Sequence, residues 1–553
     1  MENNRLDPRL RGDDTNKTLN NRVVVLTLII ISLISFFLTV INFRIPSPPA
    51  FNADEAAFGY NAYSLLKTGR DEYGTFLPLR LKSFGDNKMP LYSYLSIPFM
   101  AIMGLNEASA RALNAFLSLL FPLLIYLLTK ELFKKESYGI ASALLVSLSL
   151  GLHIVTRQAH EAYLAVFLTT ISLYLLIRFL KKQTISRGIF LSLFLFFMLF
   201  SYQSGRLFAG LFLIAAYIFS VQQKKIKKHA PIFLLIILII GLFSISDIIY
   251  KPERLKSLFF FSNPGTQLKV QELKTEGGIR YLYNPILIGL RDMTFEHMNY
   301  FSPQFLIQNG DINDRFGYKG MGLITPIEYL CFIIGVYFLF KKKEEWRFVL
   351  IFVLFFSPLS ASLSWATSSL TRSLFLLIPI SILAGYGAVL IVEEIKKQKR
   401  GILICILLGG LYAYFFTMQW DFYLFHYPKR LVTIHAWQSG YKEVNEYIKQ
   451  NYSSTTHFYI TRDIGMPYIF TLFYQQYPPE KYQKEAYLSA PDEYGFGQVG
   501  KFDKFIFEFK DPAQLKKNEV TIGSRDNFQG LKQEYETLVI APQGEPMFRI
   551  FKK

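Results

Sequence analysis

Acidic and basic side chains able to move a proton and hold an anion recur in six short polar stretches. "FNADEAAFGY" carries the adjacent carboxylates Asp54 and Glu55, "SFGDNKMPLY" brings Asp86, Asn87 and Lys88, and "TRQAHEAY" brings Arg157, His160 and Glu161. "SYQSGRLF" adds Tyr202, Gln203 and Arg206, "NGDINDRFGYKGMG" adds Asp311, and "TSSLTRSLF" adds Arg372. Guanidinium groups bind phosphate through a bidentate fork, and lysine binds it as a point charge. A carboxylate standing beside them can take the proton of an attacking hydroxyl. Side chains of these types on one surface describe a site that handles a phosphate and a proton together.

Long apolar runs must position these stretches. The chain has 553 residues, 51% of them hydrophobic, with 53 Phe and 34 Tyr. About 20 apolar residues cross a bilayer as a helix. Eleven runs are read as spans: Val23–Phe43, Ala108–Leu132, Tyr138–Val155, Tyr163–Leu180, Gly188–Tyr202, Leu207–Val221, Ala230–Ile249, Thr325–Phe340, Phe348–Trp365, Ser373–Val392 and Gly401–Trp420. Each even-numbered run ends in a Lys/Arg cluster, such as "KELFKK", "QQKKIKKH" or "KKQKR", and the odd-numbered ones do not. By the positive-inside rule the N-terminus is cytoplasmic and the six polar stretches share the outer side. The net charge of +18 resides in these loops, which is a topology signal and not a nucleic-acid footprint. Cys331 and Cys405 both lie in apolar runs, so neither a disulfide framework nor a cysteine zinc site is expected.

Residues 1–22 read as a disordered cytoplasmic tail ahead of an uncleaved first span. Within the outer loop 44–107, the pieces Tyr60–Leu66 and Leu91–Met103 are too short to cross and read as helices lying along the outer surface. A second outer loop, 250–324, is long and polar. After Trp420 the composition changes: "WQSGYKEVNEYIKQNY" has helical periodicity, and "THFYIT", "KFIFEF", "ETLVIA" and "MFRIF" read as strands. The expected architecture is an all-α polytopic membrane domain, 23–420, followed by an extracytoplasmic mixed α/β domain, 421–553.

With the motifs in this order, the chain resembles the GT-C glycosyltransferases of the protein mannosyltransferase class (glycosyltransferase family 39), which also holds the aminoarabinose transferases of lipid A. The resemblance rests on the Asp54-Glu55 pair, "GRDEYGTFLPL", "DNKMPLY", "TRQAHEAY", "NGDINDRFGYKGMG" and "TRSLFLLIPISILAGYG". It implies an integral-membrane enzyme that takes a sugar from a polyprenyl-phosphate donor, with inversion, and passes it to a hydroxyl of a protein, lipid or glycan. By motif position Asp54 matches the base, with Glu55 its neighbour, Lys88 a donor-phosphate ligand, and Glu161 a second acidic residue near the site. Topology adds Arg206 and Arg372 as phosphate ligands, and His160, Arg157, Tyr202 and Asp311 as substrate contacts. Asn87 stands where some aminoarabinose transferases have Glu, so no metal ligand and no required cofactor are assigned.

Plainer roles exist for the same residues. Asp54 and Glu55 fit a solvated acidic pair or the N-cap of a helix that "NADEAAFGYNAYSLL" would start, Lys88 and Arg372 fit interfacial snorkelling, and Asp311 fits a turn. A transporter or flippase for a lipid-linked or anionic substrate is the competing class. It predicts inverted repeats and mid-span breaks, whereas the charges here sit at outer span ends. The composition fits a multi-pass protein of a prokaryotic plasma membrane.

Overall fold

The computed structural model describes residues 21–84, 86–222, 264–364, 368–491, 497–532 and 535–553. The expected span Ala230–Ile249, Trp365 at the end of another, and residues 1–20 of the expected tail lie outside them. In chain order, α1 (Asn21–Val40) is followed by α2 (Ala53–Thr68), a hairpin of β1 (Leu81–Ser83) and β2 (Asp86–Lys88), and α3 (Leu91–Met103). Then come α4 (Glu107–Phe133), α5 (Glu136–Leu148), α6 (Leu150–Thr156), α7 (Glu161–Lys181), α8 (Ile185–Leu199) and α9 (Gln203–Gln222). Beyond residue 264 the main helices are Pro264–Glu276, Pro285–Asn299, Pro326–Lys341, Arg347–Phe356, Leu377–Lys396 and Gly401–Asp421.

Several of these helices are built for hydrocarbon. Val25, Leu26, Ile29, Ile30 and Leu33 of α1 are exposed, as are Ile402, Leu403, Ile406 and Leu407 of Gly401–Asp421. Apolar belts of this size are a bilayer-facing surface. Among the described residues five helices are long and apolar enough to cross, or six if α5 and α6 form one bent span. Eleven full-length spans are therefore not what these residues show. α8 has 15 residues and Pro326–Lys341 has 16, while the run from Phe348 divides into Arg347–Phe356 and the turn Leu359–Ser362. The expected single span Tyr138–Val155 bends by 57° at Ser149. Ser149 is extended there, and the Gly151 N–H donates to the Leu323 carbonyl, 2.9 Å away, instead of to its own helix.

Where helices lie deep in the bundle, absent side chains let them touch. A Cβ on Gly335 would stand 2.0 Å from the Leu383 carbonyl oxygen, and one on Gly387 2.0 Å from that of Cys331. Pro326–Lys341 and Leu377–Lys396 thus meet backbone to backbone, as small-residue contacts allow in membranes.

The loop 250–324 is not a plain polar connection, since it holds the helices Pro264–Glu276 and Pro285–Asn299. The last apolar helix continues through irregular turns to Lys429, and the C-terminal α/β region follows it. That domain carries seven strands among the described residues, in the order β4-β5-β6-β3-β7-β9-β8. These are β3 (His457–Ile460), β4 (Tyr487–Pro491), β5 (Gly497–Phe502), β6 (Phe505–Ile506), β7 (Glu519–Gly523), β8 (Thr537–Ile540) and β9 (Pro546–Lys552). β3 runs parallel to both β6 and β7, and the other pairings are antiparallel. The mixed α/β character matches the reading of its sequence.

α2 departs from its expected place on the outer surface. Phe58, Tyr60, Ala62 and Leu65 are buried, with Phe58 against Tyr92 of α3 and Tyr60 against Tyr482 of the C-terminal domain. The Tyr60 hydroxyl donates to the Tyr477 carbonyl at 2.9 Å, and the rings of Phe51 and Phe473 are 4.7 Å apart. The space above Gly59 is filled by Phe473, so a Cβ there would meet its ring at 2.7 Å. α3 keeps its surface character, with Leu95, Ile102 and Met103 exposed.

Candidate active site

Asn52 starts the helix that carries the acidic pair. Its side-chain oxygen accepts from the N–H groups of Asp54 and Glu55, and Glu55 accepts in return from the Asn52 N–H, a complete capping box. The cap sends the two carboxylates in different directions. Asp54, in the first turn, gains from the positive end of the helix dipole. Its side chain stays 36% exposed, so both oxygens can be reached.

Two cations from distant parts of the chain hold those oxygens. Lys88 ends β2, where the hairpin register pairs it with Leu81, and its Nζ lies 2.8 Å from Asp54 Oδ1. The rings of Phe58 and Phe84 stand 4.8 and 4.6 Å from the same ammonium. Arg315 comes from the loop closed by the Gly310–Gly317 bridge, and its Nη1 lies 2.9 Å from Asp54 Oδ2. That loop has no room for a side chain at Gly317, where a Cβ would stand 2.0 Å from the Asp311 carbonyl oxygen. Burial pushes the Asp54 carboxyl up, but the Lys88 ammonium and Arg315 guanidinium together outweigh it and hold it well below the usual carboxylate range.

The remaining candidates divide into two groups. His160 caps α7 with Nδ1, which accepts from the Ala162 N–H and so leaves the ring proton on Nε2. Burial, with Arg315 and Lys88 nearby, pushes its pKa down to about 4 against the opposing pull of Asp54, and the imidazole is neutral. Its ring meets Phe316 at 5.5 Å and Tyr202 at 6.1 Å. Glu161 lies in the field of Lys88 and Asp54, and Tyr202 shares a hydrogen bond with Thr371, next to Arg372. Arg206 reaches the same hairpin, with Nη2 at 3.1 Å from the sulfur of Met89, the neighbour of Lys88. Asp54, Lys88, His160, Glu161, Tyr202, Arg206 and Arg372 are thus linked one to the next by contacts or by their fields.

Three expected contacts are committed elsewhere. Both oxygens of Glu55 pair with Arg111, Nε to Oε1 at 2.6 Å and Nη2 to Oε2 at 2.8 Å, and the Ala159 N–H donates to Oε1. With 1% of its side chain exposed, Glu55 joins α2 to α4 and to the segment before α7. Arg157 is buried and donates to the carbonyls of Leu38, Ile41 and Ser47, satisfying the C-terminal end of α1. Asp311 accepts from the N–H groups of Asn313 and Leu370, which ties the Arg315 loop to the short helix holding Arg372. Burial pushes its pKa up to about 6.

Arg315 and Arg111 were not singled out by the sequence reading. Arg315 lies inside the quoted "NGDINDRFGYKGMG", but nothing local distinguishes it from Lys319 as the residue turned inward. Arg111 carried a usable signal, because a guanidinium inside an expected span demands a partner.

Residues 87–250 match the family profile described as Dolichyl-phosphate-mannose-protein mannosyltransferase. The match covers under a third of the chain, and includes Lys88, the α7 start and Arg206. The chain resembles the GT-C membrane glycosyltransferases. Among solved structures it is similar to the oligosaccharyltransferase of Archaeoglobus fulgidus tethered with an acceptor peptide containing the NVT sequon. There the identity is 12%, the TM-score 0.48, and the coverage 82% of this chain and 63% of that one. This chain thus spans less than two thirds of the archaeal enzyme. ArnT from Cupriavidus metallidurans bound to undecaprenyl phosphate is similar at 12% identity and a TM-score of 0.46, covering 96% of this chain and 98% of that chain. No curated protein matches the sequence.

Both oxygens of Asp54 are engaged by protein cations, Lys88 and Arg315. No three His, Cys, Asp or Glu side chains converge among the described residues.

Proposed function

We propose that this protein is an integral-membrane glycosyltransferase that moves a sugar from a polyprenyl-phosphate donor to an acceptor hydroxyl on the outer side of the membrane. The observation that carries the reading is the ion triad of Asp54 with Lys88 and Arg315, a partly open carboxylate between two cations where a lipid headgroup would lie. A lipid donor keeps its tail in the bilayer and offers its phosphate at this level.

The triad supplies both halves of an inverting displacement. The acceptor oxygen attacks the anomeric carbon, the bond from that carbon to the phosphate oxygen breaks, and the electron pair leaves with the phosphate. The proton of the acceptor hydroxyl passes to Asp54. At rest Asp54 is a weak base, because two cations hold its charge, and a useful base titrates closer to the working pH. A donor phosphate competes for Lys88 and Arg315, and Arg206 and Arg372, linked to the same cluster, share it. As the cations turn to the phosphate, the carboxylate regains basicity where the hydroxyl arrives. Charge that develops on the leaving phosphate meets groups already in place, which is usually the largest part of such catalysis. Neutral His160 donates through Nε2–H and suits a sugar hydroxyl better than a second anion.

No observation favours a transporter. The test incubates purified protein in nanodiscs with a panel of polyprenyl-phosphate sugars and membrane extract as acceptor source, following release of free polyprenyl phosphate. Release by the wild type and none by Asp54→Asn is expected. A wild type that neither binds nor cleaves any of the donors overturns the proposal.

A further inference from the structure

We infer that Tyr427, Trp437 and Gln438 form a clamp by which the outer domain sets the relative position of Asp54 and Arg315. None of them touches the reacting groups, so they are positioning residues, and the turnover part of the inference rests on the transfer reading above.

The clamp has two arms that leave one turn. On the first, the Gln438 side-chain oxygen accepts from the Ala53 N–H at 3.0 Å, one residue before Asp54. On the second, the indole N–H of Trp437 donates to the Tyr427 hydroxyl at 2.8 Å. That hydroxyl in turn donates to the Asp314 carbonyl at 2.6 Å, one residue before Arg315. Trp437 and Tyr427 are each 1% exposed, so neither link has water as a substitute partner. A tyrosine hydroxyl has one proton to give, and the indole donation fixes where it goes.

The turn itself is held from the outer domain. Gln438 has a backbone φ of 54°, the left-handed region that a non-glycine residue rarely adopts. Its amide nitrogen packs so closely on Gly465 that a Cβ there would lie 1.9 Å away, and Gly465 has a φ of 101°. The Tyr441 hydroxyl donates to the adjacent Ile464 carbonyl at 3.2 Å. A shift of the 461–465 loop therefore reaches the Asp54 side through Gln438 and the Arg315 side through Trp437 and Tyr427, the latter at the end of the last span.

The test uses full-length protein in nanodiscs and the variants Tyr427→Phe, Trp437→Phe and Gln438→Ala. Hydrogen exchange is followed without donor in two segments, 52–57 and 311–317. Tyr427→Phe is expected to speed exchange at 311–317 alone, Gln438→Ala at 52–57 alone. Trp437→Phe is expected to follow Tyr427→Phe. Unchanged protection in all three, or equal loosening of both segments in each, overturns the clamp. With a responding donor, Tyr427→Phe is expected to lower kcat/KM about tenfold and move its acid limb to higher pH, yet to add nothing in an Arg315→Ala background. A fully additive cycle, or a loss without a shifted acid limb, assigns Tyr427 a merely structural role and overturns its action through Arg315. If the wild type neither binds nor cleaves any donor, the transfer reading falls while the exchange data still decide the clamp.

Discussion

Asp54 and Arg315 lie 261 positions apart in the chain and meet at 2.9 Å, with Lys88 on the opposite oxygen of the same carboxylate. The consequence is a carboxylate held in its charged form by two cations. Asp54 remains 36% exposed between them.

Asp54→Asn keeps the size of the side chain and leaves the Asn52 cap in place, but removes the charge and the proton acceptor. Release of polyprenyl phosphate is expected to fall by at least about a hundredfold, the lower range for a general base. The variant should elute as a single species but melt below the wild type at neutral pH, since it loses the stability the triad adds. Residual turnover within tenfold of the wild type would exclude Asp54 as the base.

Lys88→Ala and Arg315→Ala each remove one charged hydrogen bond, commonly about 1.5–3 kcal/mol in a protected site. Losses of about ten- to a hundredfold in kcat/KM are expected, falling mainly on the donor's KM. The sign of the pH effect follows from Asp54. Its folded-state pKa lies below the unfolded value, so the triad adds stability above about pH 4, lost as the pH falls through the lowered folded value. Removing either cation lets the carboxyl rise, and the acid limbs of activity and of melting temperature should both move to higher pH. Limbs that stay in place would show that the pairing does not control Asp54.

Much of the frame was open to sequence reasoning, because its signals are local. The apolar runs gave α1, α4 and α7 to within about three residues, and the acidic pair Asp54-Glu55 marked a helix start whose cap is in fact Asn52. β3, β8, β9 and the helix Tyr441–Asn451 follow from their alternating or helical patterns. What sequence could not supply were long-range partners. The burial of α2 depends on Phe473 and Tyr477, and its Ala, Gly and Tyr content reads equally well as interfacial. Glu55 and Arg157 have the residue types of a binding site, yet Arg111 and three backbone carbonyls claim them. The bend at Ser149 arises from Leu323, which no local pattern announces.

Glu55→Gln separates structure from chemistry within the acidic pair. It leaves the Arg111 guanidinium without a counter-ion next to a buried amide, a change that typically costs about 3–5 kcal/mol. A clear drop in melting temperature is expected, with kcat of the remaining folded protein reduced less than by Asp54→Asn. Arg111→Lys, which keeps the charge but loses the two-point contact, should fall between Glu55→Gln and the wild type. Loss of turnover by Glu55→Gln at unchanged melting temperature would instead make Glu55 a member of the catalytic set.

Glu72 offers a test of how the outer domain is joined to α2. Its carboxyl accepts from Tyr468 of the outer domain at 3.0 Å and from Asn61 of α2 at 3.1 Å. Burial pushes its pKa up to about 8, while Tyr468, Lys88 and Asn61 pull the other way, so it is largely protonated at neutral pH. The folded state then binds a proton that the unfolded chain has already lost, throughout the window from about pH 4.5 to pH 8. In that window Glu72 makes stability fall as pH rises, the opposite of Asp54. Glu72→Gln can still accept through its carbonyl and donate through its amide, and it does not titrate. The variant is expected to melt at or above the wild-type temperature at pH 8, with a flatter dependence on pH between 5 and 8. An unchanged slope would mean that Glu72 ionises in the folded protein as it does in the unfolded chain, and that the Tyr468–Glu72–Asn61 contact is an ordinary solvated one.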